Sequence, residues 1–157
     1  MYKKLATLSL LIFMITIVLA ACGSPATQAP QAPQQAPAQA DVPNPGGPGE
    51  AINLTGDPKA GATVFAKCQS CHGKEGTGGK SNPGSASGTI PALNPVNPAL
   101  KNADPKVFAT NLDLFIEHGA KPTGSNPERS MAAFGDRQML TAQQIADVIA
   151  YIISLNK

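Results

Sequence analysis

Apolar residues recur at helical spacing in three stretches of the chain, and a favoured helix start precedes each stretch. In the first stretch, Phe65 and Cys68 lie four and seven positions after Gly61, on one face of a helix. Asp57-Pro58 comes before them, and Asp can cap free N–H groups while Pro suits the first helical position. Gly61 lets a second backbone approach closely, so we expect another helix to cross there.

The other two helical stretches lie nearer the carboxyl terminus. Asp104-Pro105 repeats the start signal, and the apolar residues after it extend to Gly119, which can act as a C-cap. Thr141-Ala142-Gln143-Gln144 has the capping-box pattern and begins the last helix. The apolar stripe of that helix consists of Ile145, Val148, Ile149 and Ile152. We predict that the last helix packs against the first, with long irregular loops between the helices.

The first 21 residues show the pattern of an export signal. Lys3 and Lys4 precede an apolar run over residues 5–19. The run ends in Leu19-Ala20-Ala21-Cys22, which resembles the lipobox of bacterial lipoproteins and implies lipid transfer to the Cys22 sulfur, with cleavage just before it. An uncleaved transmembrane anchor is the alternative, but the run is short for the about 20 residues that a bilayer requires. Either way, we expect the rest of the chain on the extracytoplasmic face of a bacterial membrane.

Residues 22–50 are rich in Pro, Gln, Ala and Gly and nearly lack large apolar side chains. Such a composition cannot form a core and favours a flexible linker. We predict a lipidated linker over residues 22–50 and one small folded domain over residues 51–157. The linker is either a passive spacer or a tether that lets the domain reach its partners.

The motif Cys68-Gln69-Ser70-Cys71-His72 has the spacing that attaches a c-type haem through two thioethers and presents the histidine to the iron. A dithiol redox pair would not require His72, and a zinc site needs about four ligands. Since Cys22 is assigned to lipid, no cysteine pair remains for a structural disulfide. We therefore expect the haem to stabilise the fold and to provide the surface on which the long loops pack.

Charge excludes one class of partner. The chain has a formal net charge of +2, with 12 Lys and Arg against 10 acidic residues. Lys3 and Lys4 belong to the predicted signal, so the mature chain is formally neutral. Because no basic face with interleaved aromatic residues remains, we do not expect a nucleic acid partner.

From about Gly56 to Lys157 the chain resembles a class I cytochrome c of the small bacterial monohaem type. Besides the haem motif, the resemblance rests on four ordered segments, which are residues 56–61, Pro91-Ala92-Leu93, Met131-Ala132-Ala133-Phe134-Gly135 and residues 144–152. It implies an all-α cytochrome c fold, in which three main helices and long loops wrap one covalent haem c.

The second axial ligand of the iron is expected to be a methionine. Met131 matches the ligand position of the family, whereas Met139 lies just before Thr141, where an ordinary core methionine would pack. His118 is a weaker candidate, because a histidine at a helix end commonly interacts with unpaired carbonyls. The family usually has proline after the ligand methionine, and this chain has Ala132 there, so we expect a less rigid loop.

The resemblance also implies that a proline carbonyl accepts the N–H of the axial histidine, and Pro91 matches that position. Pro98-Ala99-Leu100 repeats the same short pattern.

The resemblance implies one-electron transfer between respiratory or photosynthetic redox partners. We do not expect an enzyme, because no motif supplies the distal base that catalytic haem chemistry needs. A haem subunit fixed in a quinol-oxidising or oxidase complex is the alternative. A haem-based gas or redox sensor is a further alternative. With Ala132 in place of proline, the iron–sulfur bond would be easier to break, and a small ligand could then bind the iron.

Overall fold

The computed structural model describes residues 42–124 and 129–157. Its α-helices are α1 (Pro58–Val64), α2 (Gln69–His72), α3 (Pro105–His118) and α4 (Ala142–Leu155), and two 3₁₀ helices span Glu50–Asn53 and Phe65–Lys67. Two short strands, β1 (Val42–Pro43) and β2 (Ala120–Lys121), pair antiparallel, with Val42 opposite Lys121 and Pro43 opposite Ala120. The helices dominate the described residues, and the predicted all-α fold is confirmed.

The predicted export signal and Cys22 lie outside the described residues. Within the part of the chain that the structure describes, no helix is both long enough and apolar enough to cross a membrane.

All three predicted helix starts are present, and each is capped by the residue that the sequence indicates. The side chains of Asp57 and Asp104 accept hydrogen bonds from the backbone N–H groups two residues on, each at 2.8 Å. Thr141 and Gln144 form the complete capping box that begins α4. The first helix differs from the prediction, because it tightens into a 3₁₀ turn at Phe65–Lys67 and resumes as α2.

α1 and α4 pack together as predicted, and the closest approach is at Gly61. A Cβ atom added at Gly61 would overlap the backbone carbonyl of Asp147. The carboxylate of Asp147 accepts the backbone N–H of Asp57 at 2.9 Å. On the same side, the rings of Phe65 and Tyr151 lie 5.1 Å apart between centroids at 58°. These contacts hold the haem motif, which follows Phe65, against the last helix.

The core is built mainly from α3 and α4 together with Phe65. Phe65, Ile145 and Val148 are almost fully buried, and Leu112 and Ile116 of α3 pack in the same cluster. One polar side chain, that of Asp113, is fully buried beside this core.

The segment just before the first 3₁₀ helix packs on the carboxyl-terminal half of α3. Asn44 donates its side-chain N–H to the His118 carbonyl oxygen at 2.7 Å and its backbone N–H to the Gly119 carbonyl oxygen at 3.0 Å. Gly49 donates its backbone N–H to the Asp113 carboxylate at 2.6 Å. Residues 42–50, which the composition assigns to the linker, therefore belong to the folded part.

Candidate haem site

One helical turn brings the three residues of the haem motif together. The backbone N–H of Cys68 bonds the Phe65 carbonyl oxygen at 2.8 Å, and those of Cys71 and His72 bond the Cys68 carbonyl oxygen at 3.1 and 2.9 Å. As a result Cys68, Cys71 and His72 line the same wall of one cavity. Both cysteine side chains are of intermediate exposure.

The surroundings of Cys68 are mainly protein rather than water. Burial raises the pKa of Cys68 to about 11, and the neighbouring Cys71 adds to the rise. Dithiol redox motifs work through a thiolate whose pKa is lowered. The environment of Cys68 therefore differs from that of an activated redox thiol.

His72 is held by the loop that follows it. Its Nδ1 atom lies 3.0 Å from the Pro91 carbonyl oxygen, which is the contact that the resemblance implies. Burial lowers the pKa of His72, and the bond to Pro91 acts in the opposite direction. A neutral imidazole that donates from Nδ1 keeps Nε2 as the electron-pair donor for a metal. Pro98 does not line the cavity.

A short paired segment, which the sequence does not predict, brings Pro91 to His72. The backbone N–H of Gly79 bonds the Ile90 carbonyl oxygen at 3.0 Å, and that of Ile90 bonds the Lys80 carbonyl oxygen at 2.7 Å. Gly78 has φ of +65° and passes so close to Ala92 that a Cβ would overlap the Ala92 backbone. We call residues 79–91 the site hairpin.

Met131 lies in the cavity wall and is fixed by the chain just after α3. Its backbone N–H bonds the Ala120 carbonyl oxygen at 2.9 Å, and the Ala120 N–H bonds the Met131 carbonyl oxygen at 3.2 Å. Three residues later, the N–H of Phe134 bonds the Ile116 carbonyl oxygen at 2.9 Å. The backbone is thus anchored at Met131 and again at Phe134, despite the absence of a proline at position 132.

The two other candidate ligands lie away from the cavity. Met139 is 48% exposed, so the expectation that it packs in the core is wrong. His118 is bonded through Nδ1 to the Asp136 carboxylate at 2.9 Å and through Nε2 to the Gly47 carbonyl oxygen at 2.7 Å. Its ring therefore contacts Gly47, in the segment before the first 3₁₀ helix, rather than the carbonyls of its own helix end. Neither residue lines the cavity.

The lining of the cavity fits a haem. Its volume is about 250 Å³, just below the range of about 300–1,000 Å³ typical of small-ligand sites. Its walls are mainly apolar and come from the loops and from helices α3 and α4; they include Ile90, Leu93, Leu100, Leu112, Phe115, Ile116, Phe134, Val148 and Ile152. Two thiols, one imidazole and one thioether reach these walls, which is a donor set that fits a covalently attached haem.

The sequence interpretation missed several residues of the cavity wall. Asn82 and Arg129 are examples; they come from loops without periodicity, where the sequence carries no signal for contact.

A helical domain whose cysteines and histidine share one apolar cavity defines a haem protein of the covalent type. The family model described as Cytochrome c matches residues 58–156, more than half of the chain, and the chain belongs to this family. No curated protein and no solved structure matches the chain significantly. Membership means that the cofactor is haem c, attached at the motif that Cys68 and Cys71 form, and that the protein acts in haem-based electron transfer.

Proposed function

We propose that this cytochrome c is a membrane-tethered carrier of single electrons between extracytoplasmic respiratory or photosynthetic partners, with His72 and Met131 as the axial ligands. The observation that carries the proposal is that both side chains line one apolar cavity and that a backbone contact holds each of them. His72 is bonded to Pro91, and Met131 is paired with Ala120.

These contacts suit a carrier better than a catalyst. The bound haem supplies an iron centre that gains and loses one electron. Because Pro91 orients the His72 ring and Ala120 fixes the Met131 backbone, both donors keep their positions when the charge changes. A thioether donor favours the reduced state and raises the potential. The apolar side chains around them exclude water, so little rearrangement accompanies the transfer.

The ionisable side chains of the cavity support the same role. Among the described residues that line the cavity, Lys67 and Arg129 are the only ionisable ones outside the haem motif. Neither is a carboxylate or an imidazole that could exchange protons with a bound substrate near neutral pH. Within the described part of the lining, no side chain outside the haem motif could act as the distal base of a peroxidase or oxygenase.

The location and partners are proposed from the amino-terminal sequence. The export-signal pattern and Cys22 support a lipid anchor on the extracytoplasmic face of a bacterial membrane. One acyl chain gives only marginal attachment, so multiple acylation is what would hold the protein there. The proposed partners are an electron donor and an electron acceptor, either redox proteins or membrane respiratory complexes.

Protein purified from its native host in mild detergent tests the proposal. We expect a mass that corresponds to a chain beginning at Cys22 with its lipid and one added haem. On a haem-stained native gel we expect migration as a small protein. Migration with a large complex would refute the independent carrier and indicate a fixed subunit. Absence of the haem mass would refute the function altogether.

Carbon monoxide separates the carrier from a sensor. If Met131 ligates the iron firmly, the ferrous protein should bind carbon monoxide slowly at neutral pH. Rapid binding without denaturant would refute the proposed role and favour a gas sensor.

A further inference from the structure

The side chain of Asn82 joins two loops that lie far apart in the sequence. Its Oδ1 atom accepts the backbone N–H of Arg129 at 3.0 Å, and its Nδ2 atom donates to the Arg129 carbonyl oxygen, also at 3.0 Å. The amide thus pairs with both backbone groups of one residue, as a neighbouring strand would. Asn82 is only 3% exposed and lines the cavity, so water competes little for these bonds.

The backbone of Asn82 is itself fixed within the site hairpin. Its N–H bonds the Gly88 carbonyl oxygen at 2.9 Å, and its carbonyl oxygen accepts the N–H of Ser85 at 3.0 Å. Ser81 and Thr89 pair beside it. A side chain that starts from such a fixed backbone can hold another segment in place with little loss of conformational entropy.

Arg129 lies two residues before Met131. The Met131 segment is therefore held at Arg129 by Asn82 and at Met131 by Ala120. The residue after the methionine is Ala132, which lacks the restraint that a proline ring would give. The pairing with Asn82 supplies a restraint from the other side of the methionine.

The same site hairpin also carries Pro91, whose carbonyl oxygen contacts the His72 ring. One loop therefore contacts both of the segments that hold the proposed ligands. Movement of the hairpin would disturb the imidazole and the thioether together.

We propose that Asn82 is a positioning residue for the second axial ligand: by holding both backbone groups of Arg129, it keeps the Met131 thioether on the iron. This inference rests on the proposed function, in which Met131 is that ligand. Loss of Asn82 would let the Met131 segment move away more often, and the vacated position would become available to outside ligands.

The test is the binding of imidazole to the ferric holoprotein, made with wild type, Asn82→Ala and Ser85→Ala. Ser85 is the matched control, because it is a buried polar residue of the same loop whose side chain, among the described residues, bonds the Thr89 carbonyl oxygen rather than Arg129. We expect Asn82→Ala to bind imidazole about tenfold faster than wild type. A tenfold faster rate corresponds to an activation free energy that is lower by about 1.4 kcal/mol. Ser85→Ala should stay close to the wild-type rate. The weak sulfur-to-iron band of the ferric spectrum should fade at a lower temperature in Asn82→Ala than in the control.

The outcomes separate this inference from the proposed function. A wild-type spectrum without the sulfur-to-iron band would refute the proposed ligation itself. A wild type with the band, together with an Asn82→Ala protein that binds imidazole at the wild-type rate, would overturn the inference alone. Equal acceleration in Asn82→Ala and Ser85→Ala would also overturn it, since general loosening of the loop would then be the cause.

A second variant covers poor folding of Asn82→Ala. Asn82→Asp keeps the size of the side chain and the oxygen that accepts from Arg129, but as a carboxylate it cannot donate to the Arg129 carbonyl oxygen. We expect faster imidazole binding in this variant as well. Binding at the wild-type rate would count against the inference.

Discussion

The backbone of Asp147 lies directly against Gly61, so that α1 and α4 cross with no side chain between them. A methyl group at Gly61 would overlap the Asp147 carbonyl and would come within 2.9 Å of the Tyr151 Cβ atom. The obstacle is a helix backbone, which cannot move aside as a flexible side chain could. The two helices must therefore separate when this glycine is replaced.

We predict that Gly61→Ala lowers the free energy of unfolding of the holoprotein by about 1–3 kcal/mol, the usual cost of overpacking. A decrease in the unfolding free energy would indicate the close contact, because alanine in place of glycine stabilises an unconstrained helix by about 1 kcal/mol. Denaturant titration followed by circular dichroism measures the change. Gly47→Ala is the control, since a Cβ there meets no atom within 4 Å. Equal midpoints for the two variants would contradict the predicted helix crossing.

Met131→Ala should abolish the weak sulfur-to-iron band of the ferric protein and lower the reduction potential, because a thioether favours ferrous iron. Absorption spectra and a redox titration measure the two effects. Met139→Ala is the matched control: its side chain is 48% exposed and lies outside the cavity wall, and the band should persist. If only Met139→Ala loses the band, the ligand assignment is wrong.

A protein without attached haem should not keep its fold. The double variant Cys68→Ala, Cys71→Ala removes both thioether bonds, and the apolar cavity wall then loses the group on which it packs. We expect the far-ultraviolet circular dichroism of the native helices to be lost. Native-like helicity in the haem-free variant would contradict the expectation that the cofactor stabilises the domain.

Replacing Cys22 separates the two possible modes of membrane attachment. With Cys22→Ser, a lipoprotein loses its acylation site, and we predict that the protein moves from the membrane fraction to the soluble extracytoplasmic fraction. Haem content and circular dichroism should match wild type. Retention of Cys22→Ser in the membrane fraction, with residues 1–21 still present by mass, would instead indicate an uncleaved anchor.

His118 should make stability depend on pH above its ordinary pKa of 6.5. Its pKa is raised, chiefly by the bond to the Gly47 carbonyl oxygen and then by the Asp136 side chain. A raised pKa means that protonated His118 stabilises the folded state fully below its ordinary pKa of 6.5 and that this contribution disappears as the pH rises through the raised value.

We therefore predict that the difference in unfolding free energy between wild type and His118→Gln is larger near about pH 5.5 than near about pH 8.5. The neighbouring carboxyls Asp113 and Glu117, whose pKa values burial raises, are present in both proteins. Because His118 lowers the pKa values of both carboxyls, the difference reports His118 together with its coupling to them. If the difference in unfolding free energy does not vary with pH, protonated His118 does not stabilise the folded state.

Local chemistry explains which parts of the fold could be predicted from the sequence. Asp57, Asp104 and Thr141 each cap a helix through residues two or three positions away, so a short window contains the whole signal. The haem motif is equally local. Gly61 could be assigned to a helix crossing because Phe65 and Cys68 follow it at helical spacing, on the same face.

The remainder depends on contacts that the sequence does not encode locally. Asn82 bonds Arg129 across 47 positions, and neither residue lies in a periodic segment. Residues 42–50 have the composition of a linker, yet their backbone groups find partners on α3 through Asn44 and Gly49. Met139 was expected in the core from its place before Thr141, but it is exposed because Leu140 takes the buried position.

The pairing of β1 with β2 also determines which part of the domain a pulling force on the preceding chain would reach first. Ala120 in β2 contacts Pro43 on one side and Met131 on the other. A force on the chain before residue 42 would therefore act on the strand next to Met131, the proposed sulfur donor, whereas Cys68 and Cys71 lie on a separate helical turn. We expect such a force to disturb the Met131 segment before it strains the attachment at Cys68 and Cys71.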